Sequence, residues 1–196
     1  MKVLFATTNP AKIEYYYDQL KKKGIELLIP KDLNLELEVE ETGTDAIENA
    51  IIKARAFHEA TGLTTIAMDD TLFIEGLPDE EQPKTHVRRV NGKRLNDVEM
   101  IEHYTSIAKK LGGQANGYWL HGVAVCKDGN VNTYDVKSYN TFLQESSSVV
   151  TEGYPLDSIS IVPKYNKYRS ELTEEERNVE RLEYNQKLYE FVASNI

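Results

Sequence analysis

The chain has 196 residues, and its 32 acidic side chains against 23 lysines and arginines give a net charge of −9. This length predicts one domain over residues 1–196, and an apolar content of 40% is too high for a disordered chain. No apolar run approaches the roughly 20 residues that cross a bilayer, and a single cysteine excludes an intrachain disulfide framework. We therefore expect a cytoplasmic protein, and the absence of a basic face argues against nucleic acid and membrane partners.

In the first half of the chain, predicted helices alternate with predicted strands. The first helix is predicted from Pro10 to about Lys23. The second begins after Asp45, which forms a capping-box pattern with Glu48, and it ends at Gly62. Apolar runs predict strands at residues 3–6, 26–30 and 64–68, with a further option at 35–39 inside an acidic loop.

The second half begins with a polar, proline-containing loop at residues 76–93. A helix follows, capped by Asn96 and closed by Gly112, and the last helix begins after a Thr173 cap. Asp128 and the glycine after it predict a hairpin turn. The strands of this half are predicted at residues 118–126, 131–143 and 159–162. The inner stripe of the last helix is predicted to consist of Val179, Leu182, Leu188 and Val192.

This pattern of elements predicts the α/β class, with a mixed twisted sheet and flanking helices. The strands and helices alternate early in the chain, and a hairpin dominates its third quarter. The polar loop at residues 76–93 is placed to act as a hinge. We therefore expect one domain with two lobes around a central cleft.

Two polar segments of the first half could serve an anionic ligand. The turn Thr7–Lys12 joins a strand to a helix, where backbone N–H groups and a lysine attract phosphate. The alternative is an ordinary strand–helix turn. The acidic segment Glu40–Gly43 could supply a carboxylate ligand for Mg²⁺, which prefers oxygen donors, or it could be solvated surface.

Two further groups follow. Asn49 and Lys53 are four residues apart, so they share one side of the second helix, and Lys53 could reach either a phosphate or water. Asp69 and Asp70 are predicted at the carboxyl end of a strand, followed by Thr71, where open α/β sheets bind ligands. Adjacent carboxylates repel each other unless a cation or hydrogen bonds compensate, although aspartate also caps ordinary turns.

In this order, these segments resemble the inosine triphosphatase family, which acts on non-standard purine nucleoside triphosphates. Residues Ala6–Lys12 match the family pattern A-T-x-N-x-x-K. Residues Glu40–Ala54 nearly match E-E-T-G-x-T-x-x-E-N-A-x-x-K-A, and Met68–Thr71 corresponds to the aspartate pair of A-D-D-S-G. Three ordered blocks within about the first 75 residues make this resemblance specific.

The second half departs from the family pattern. Residues Glu152–Asp157 keep only Gly-Tyr and a displaced aspartate of G-F-G-Y-D-P, and Arg177 replaces the lysine of A-E-L-T-x-E-E-K-N. The base-contacting Ser-His-Arg triplet is absent, and Arg181, Leu182 and Glu183 stand in its place. The resemblance therefore implies an intact triphosphate end and a rebuilt base end.

The resemblance implies a reaction, cleavage of a nucleoside triphosphate between its α and β phosphorus atoms with Mg²⁺. It implies Asp70 as the catalytic carboxylate and a homodimer as the assembly. Glu41 and Asp70, with Asp69 nearby, would hold the metal. The residues implied to bind substrate, through phosphates or base, are Thr7, Thr8, Asn9, Lys12, Lys53, Thr71, Tyr154 and Arg177.

Two alternatives to an active pyrophosphatase stay open: a nucleotide sensor of the same fold that has lost turnover, and a structural protein with inherited motifs. The four histidines have no metal-ligand spacing, which predicts ordinary surface or core roles for them. The enzyme hypothesis requires Glu41, Lys53 and Asp70 to come together in one groove.

Overall fold

The computed structural model describes residues 2–22 and 24–196. Lys23, the predicted end of the first helix, lies outside the described residues. Within the described ranges, six side chains are not described, namely those of Ala11, Glu14, Tyr15, Gln19, Glu183 and Tyr184. Across residues 2–22 and 24–196, no helix combines the length and the apolar character needed to cross a membrane.

The predicted α/β class is confirmed. The helices are α1 (Pro10–Lys22), α2 (Ala46–Thr61), α3 (Asp97–Lys110) and α4 (Glu174–Asn195). The strands are β1 (Lys2–Phe5), β2 (Glu26–Leu28), β3 (Thr64–Ile74), β4 (Arg89–Val90), β5 (Lys93–Arg94), β6 (Gln114–Lys127), β7 (Asn130–Leu143), β8 (Ser160–Val162) and β9 (Lys167–Tyr168). The main sheet has the order β2-β1-β3-β6-β7-β8-β9, and β4 pairs with β5 alone. The sheet is mixed, since β1 runs parallel to β2 and β3 while β8 runs antiparallel to β7 and β9.

The chain forms two compact units. Unit 1 contains Met1–Asp70, Leu120–Val136 and Glu183–Ile196, and unit 2 contains Thr71–Trp119 and Lys137–Leu182. The long strands β3, β6 and β7 each contribute residues to both units. The predicted cleft between two lobes stays a prediction.

In unit 1, strand alternation sends side chains to two differently covered faces of the sheet. Val3, Phe5 and Met68 share a core with buried residues of α1 and α4. Leu4 and Ala67, which lie one position away on the same strands, pack instead with the buried side of α2. Each face of these strands is therefore apolar, as is expected for parallel strands that are covered on both sides.

In unit 2, helix α3 covers the apolar side of the sheet segments. Met100 and Tyr104 of α3 pack with Leu72 and Ile74 of β3 and with Phe142 of β7. The helix is well started, because Asn96 and Glu99 each accept a hydrogen bond from the other's backbone N–H. This reciprocal cap was predicted from the sequence.

The cap of α2 differs in one arm from its prediction. Asp45 accepts hydrogen bonds from the N–H groups of Ile47 and Glu48, as expected. The carboxylate of Glu48 reaches the backbone and hydroxyl of Thr44 rather than the backbone of Asp45. The hydrogen bonds from Thr44 also hold the pKa of Glu48 below its ordinary value.

Two strand predictions require correction. The strand predicted at 64–68 continues to Ile74, so Asp69 and Asp70 lie inside β3 and not after it. Tertiary pairing outweighs the low strand propensity of aspartate here. Residues 35–39 form no strand, since they have no ladder partners, and the partly buried Leu35, Leu37 and Val39 pack against the core of unit 1.

Two further predictions fail in part. The predicted loop at 76–93 contains β4 and the start of β5, which are joined through Asn91 and Gly92 at positive φ. In the predicted inner stripe of α4, Leu188 and Val192 are buried, but Val179 and Leu182 are 38% and 53% exposed. In the N-terminal half of α4, Glu180 is buried instead. The helical spacing of apolar residues therefore predicted the wrong inward face for this half of the helix.

Candidate active site

The two adjacent aspartates of β3 point to opposite faces of the sheet. Asp70 follows the register of Ile66 and Met68, which face α1, and Asp69 follows that of Ala67, which faces α2. Asp70 therefore meets the lysine of α1, whereas Asp69 meets the lysine of α2 and, at a longer distance, that of α1. The alternation separates the two carboxylates, and the lysines of the two helices compensate their negative charges. Both effects reduce the repulsion expected between neighbouring aspartates.

Lys12 of α1 and Lys53 of α2 converge on these aspartates. The Lys12 Nζ atom lies 2.9 Å from Asp70 Oδ2 and 3.7 Å from Asp69 Oδ1. The Lys53 Nζ atom lies 3.4 Å from Asp69 Oδ1 and 3.1 Å from Glu41 Oε1. Both ammonium groups also donate to the backbone carbonyl oxygen of Met68, each at 3.1 Å. Glu41, Lys53 and Asp70, from three separated sequence blocks, thus belong to one connected cluster.

The electrostatics of the cluster keep Asp70 ionised. Burial alone would raise the pKa of the Asp70 carboxyl, but the charge of Lys12 and the hydrogen bond from His121 outweigh it and hold that pKa well below its ordinary value. Burial lowers the pKa of Lys12, and the neighbouring Asp70 and Asp69 reverse this, so the net pKa is raised. Asp70 and Lys12 therefore form a charged pair at neutral pH.

His121 is a member of this cluster that the sequence did not identify. Its Nδ1 atom lies 2.7 Å from Asp70 Oδ1, and its strand, β6, neighbours β3 in the sheet. The sequence predicts an ordinary surface or core role for His121, and the structure adds its contact with Asp70. The available signal was a polar residue next to Gly122 within the apolar run at residues 119–126, and its partner depends on a strand pairing that spacing does not reveal.

The predicted phosphate turn lies at the beginning of α1. The hydroxyl of Thr7 accepts a hydrogen bond from the N–H of Asn9 at 3.2 Å, and Thr8 and Asn9 are exposed. Lys12 follows within the first turn of the helix. Exposed backbone and side-chain donors at a helix N-terminus, with a lysine close by, can bind an anion.

Asn49 holds the segment that precedes the N-terminus of α2. Its side chain is fully buried, and its Oδ1 atom accepts a hydrogen bond from the N–H of Gly43. A Cβ atom at Gly43 would lie 2.6 Å from Asn49 Oδ1, so glycine is needed there. The segment that carries Glu41 is thereby fastened to the helix that carries Lys53.

The carboxylates of the cluster suit a Mg²⁺ ion that takes its other ligands from water and from a polyphosphate. No three His, Cys, Asp or Glu side chains gather into a ready metal site in the part of the chain that the structure describes. Mg²⁺ is often held by only one or two carboxylates, with waters and substrate phosphates completing its octahedron. Glu41, Asp69 and Asp70 offer such oxygens beside the same two lysines. The residues therefore fit a Mg²⁺ ion that arrives with a polyphosphate.

The remaining predicted site residues belong to unit 2. Thr71 is fully buried, and its hydroxyl has no hydrogen-bond partner. Tyr154 is partly exposed, and the Nε atom of Arg177 donates to the backbone carbonyl of Leu172 at 3.0 Å. Burial raises the pKa of Asp157 to about 6, although the charges of three arginines act against it. Those arginines are Arg169, Arg177 and Arg181.

A family comparison identifies the chain. The model of the Ham1 family matches residues 3–181. The chain belongs to the Ham1 family. The resemblance expected from the sequence blocks is therefore confirmed, and the Ham1 match continues into the divergent second half as far as residue 181.

Curated Ham1 relatives align over most of their length. The dITP/XTP pyrophosphatase of Leptospira interrogans serovar copenhageni is 28% identical over 179 residues, which cover 90% of this chain and 88% of the relative. The dITP/XTP pyrophosphatase of Yersinia pseudotuberculosis is 29% identical over 181 residues, covering 90% and 89%.

Solved structures support the Ham1 fold. The Staphylococcus aureus Ham1 protein matches with a TM-score of 0.78 over 100% of both chains, at 23% identity. A HAM1 protein from Coxiella burnetii matches with a TM-score of 0.80 over 99% of both chains, also at 23% identity. At these identities the likeness concerns the fold.

Proposed function

We propose that the chain hydrolyses nucleoside or deoxynucleoside triphosphates, including those with non-standard purines, to the monophosphate and pyrophosphate. Membership of the Ham1 family supports a nucleoside-triphosphate pyrophosphatase, and relatives aligned over 90% of the chain are named dITP/XTP pyrophosphatase. The observation that carries the proposal is the pair of lysines that meet at the Met68 carbonyl oxygen, beside Asp69 and Asp70.

Lys12 and Lys53 bind the phosphates in this proposal. Their ammonium groups contact three carboxylates and one carbonyl oxygen. A triphosphate tail offers stronger acceptors, so the lysines shift part of their hydrogen bonding to it. Phosphoryl transfer depends mainly on positioning and on compensation of negative charge, which two adjacent lysines supply. Thr7, Thr8 and Asn9 add donors at the beginning of α1.

Asp70 orients the attacking water and accepts its proton. A carboxylate whose pKa is held far below its ordinary value is a weak base, and Lys12 is the largest lowering influence. When phosphate oxygens compensate the charge of Lys12, that lowering influence on the Asp70 carboxylate weakens, whereas a Mg²⁺ ion held by the same carboxylate would act in the opposite direction.

Glu41, Asp70 and Asp69 would hold Mg²⁺. The bound ion supplies compensation for the negative charge of the triphosphate. Asp69 has a second contribution that needs no metal. Its carboxylate lies between Lys12 and Lys53 and keeps the two ammonium groups close to each other.

The base end of the proposal rests on the resemblance. Tyr154 is proposed to stack on the base, an interaction that tolerates any base, and Arg177 to donate to a base carbonyl. Thr71 is proposed to meet the substrate, which would give its buried hydroxyl a partner. The replacement of the Ser-His-Arg triplet favours, as the second candidate, a sensor that binds nucleotides but turns them over slowly or not at all.

One product analysis tests the proposal. The protein is incubated with ITP, XTP, dITP, ATP, GTP and dCTP, with Mg²⁺ or with EDTA, and the products are separated by ion exchange. Monophosphate and pyrophosphate that require Mg²⁺ support the enzyme. Diphosphate and orthophosphate mean that another bond is cut. Nucleotide binding without turnover supports the sensor, and neither binding nor turnover supports a structural role.

The setting of the enzyme is also part of the proposal. We propose a cytoplasmic homodimer whose partner is the nucleotide, with neither nucleic acid nor membrane bound. The single, buried Cys126 and the acidic charge suit this setting, and the dimer is implied by the family resemblance alone. Light scattering during gel filtration tests the dimer, since a mass near 22.4 kDa would contradict it.

A further inference from the structure

The carboxylate of Asp70 is held at both of its oxygens, by two different elements. Lys12 of α1 contacts Oδ2 at 2.9 Å, and His121 of β6 contacts Oδ1 at 2.7 Å. Asp70 and His121 are each only about a quarter exposed, so water competes weakly for these contacts. Two short contacts on separate oxygens fix both the position of the carboxylate and the rotation of its plane.

The direction of the hydrogen bond follows from the partners of Asp70. Its other oxygen, Oδ2, lies 2.9 Å from the ammonium group of Lys12, and a carboxylate paired with a cation accepts hydrogen bonds. The Nδ1 atom of His121 must therefore carry the proton that it shares with Oδ1. A hydrogen bond donated by His121 leaves Asp70 negatively charged, so the carboxylate can still act on a water molecule.

The strand around His121 is fixed against α2. At the next residue, Gly122, an added Cβ atom would lie 2.5 Å from the carbonyl carbon of Ala46. The backbone of β6 thus touches the first residue of α2 directly. The position of β6 is set by this backbone contact. The imidazole of His121 therefore meets Asp70 from a strand that is held in place.

We propose that His121 is a positioning residue, which orients the Asp70 carboxylate toward the attacking water by donating from Nδ1 to Oδ1. This proposal rests on the proposed function of Asp70. Partners that orient a functional carboxylate or ligand typically contribute about 10- to 100-fold to activity. The contribution should fall on kcat, because His121 contacts Asp70, which is proposed to act on the attacking water.

The test compares two substitutions of His121 with a control. In His121→Asn, the amide nitrogen occupies the position of Nδ1 and keeps a donor, whereas His121→Leu keeps similar bulk without one. We expect kcat to fall about 10- to 100-fold in His121→Leu with KM within about threefold, and to recover to within about fivefold of wild type in His121→Asn. His103→Asn, on helix α3, serves as the control and should match wild type.

A second measurement does not depend on activity or on a folded variant. In wild-type protein at pH 7.5, nitrogen-15 NMR of the imidazole should show a protonated Nδ1 at His121. The proposal is overturned if Nδ1 is unprotonated, if folded His121→Leu keeps kcat within twofold, or if His121→Asn loses as much activity as His121→Leu. If wild type releases no pyrophosphate from any triphosphate, the proposed function fails instead, and the NMR result still decides the hydrogen bond.

Discussion

At the scale of single residues, strand alternation separates the tasks of neighbouring carboxylates. Asp69 faces the side of the sheet covered by α2 and contacts both lysines, whereas Asp70 faces the side covered by α1 and contacts Lys12 and His121. Each position of the strand therefore has its own environment. A substitution at one carboxylate should not reproduce the effect of a substitution at the other.

Asp70→Asn should lower kcat by about 10⁴-fold or more. General-base help is worth roughly 10²- to 10⁴-fold, and the same change removes a proposed metal ligand. The measurement is pyrophosphate release from dITP at saturating Mg²⁺. Asp135→Asn, an exposed position on β7, is the matched control and should keep wild-type turnover. Near-normal turnover of Asp70→Asn would remove Asp70 from the mechanism.

Lys53→Met should act mainly on substrate affinity. Lys53 is mostly buried and contacts Glu41, Asp69 and the Met68 carbonyl oxygen, so its charge is directed at the proposed phosphate position. A charge-assisted hydrogen bond is worth about 1.5–3 kcal/mol, which predicts a rise in KM of about 10- to 100-fold. Steady-state kinetics measures this. Arg55→Met, exposed on the same helix, should leave KM unchanged, and an unchanged KM in Lys53→Met would contradict its role.

At the scale of elements, close backbone contact positions the helix that carries Lys53. Helix α2 begins at Ala46, and its first peptide lies against Gly122 of β6. The Asp45 cap and the hydrogen bond from Gly43 to Asn49 secure the same end of the helix. The contacts at the N-terminus of α2 therefore determine where Lys53, about two helical turns further along, lies relative to β3.

Gly122→Ala should disturb stability and substrate binding together. The added methyl group would overlap the Ala46 carbonyl, and β6 and α2 would have to separate. Overpacking of this kind costs about 1–3 kcal/mol, which urea denaturation would measure. Because α2 carries Lys53, KM should also rise. Thr133→Ala, exposed on β7, should change stability by no more than about 0.5 kcal/mol. A Gly122→Ala protein of wild-type stability would refute the close contact.

Elements with strong local signals could be predicted from the sequence. The caps at Asn96 and Thr173 and the turn at Asp128 are formed as predicted, because each depends on residues a few positions apart. The extension of β3 through Asp69 and Asp70 could not be predicted, since it depends on strand pairing rather than on local propensity. The contact of His121 with Asp70 was missed for the same reason.

The candidate site shows the same division. The charged residues that were recognised all lie in sequence blocks with family spacing, and the structure brings Glu41, Lys12, Lys53, Asp69 and Asp70 into one cluster. The predicted stripe of α4 is correct at Leu188 and Val192 but fails in the N-terminal half of the helix, because the spacing of apolar residues alone does not reveal which side of a helix faces the protein. The inward side of that first half carries the buried Glu180 instead of Val179 and Leu182.

At the scale of the whole molecule, an acidic chain places two lysines side by side where the anion is proposed to bind. The chain carries −9, yet two mostly buried ammonium groups share one carbonyl oxygen in unit 1. A concentrated pair of lysines can attract a short polyphosphate, while the acidic remainder repels long polyanions. This arrangement suits a free nucleotide better than a nucleic acid.

The stability of the whole molecule should depend on pH through Asp157. Its pKa is raised to about 6, mainly by burial, against an ordinary value of 3.8. Between about pH 4 and pH 6 the folded state therefore binds more protons at this group than the unfolded state does. The contribution of Asp157 to stability is therefore greatest below this window and falls as the pH rises through it, and its full penalty is present above about pH 6.

Asp157→Asn removes this penalty, because the amide cannot ionise. We expect the variant to lose less unfolding free energy than wild type between pH 4.5 and pH 7, by about 1–3 kcal/mol. Urea denaturation at the two pH values measures the difference. Asp135→Asn is the control for the loss of one carboxyl, and its pH dependence should follow wild type. If Asp157→Asn and wild type show the same pH dependence, the pKa of Asp157 is not raised in the folded state and the prediction is contradicted.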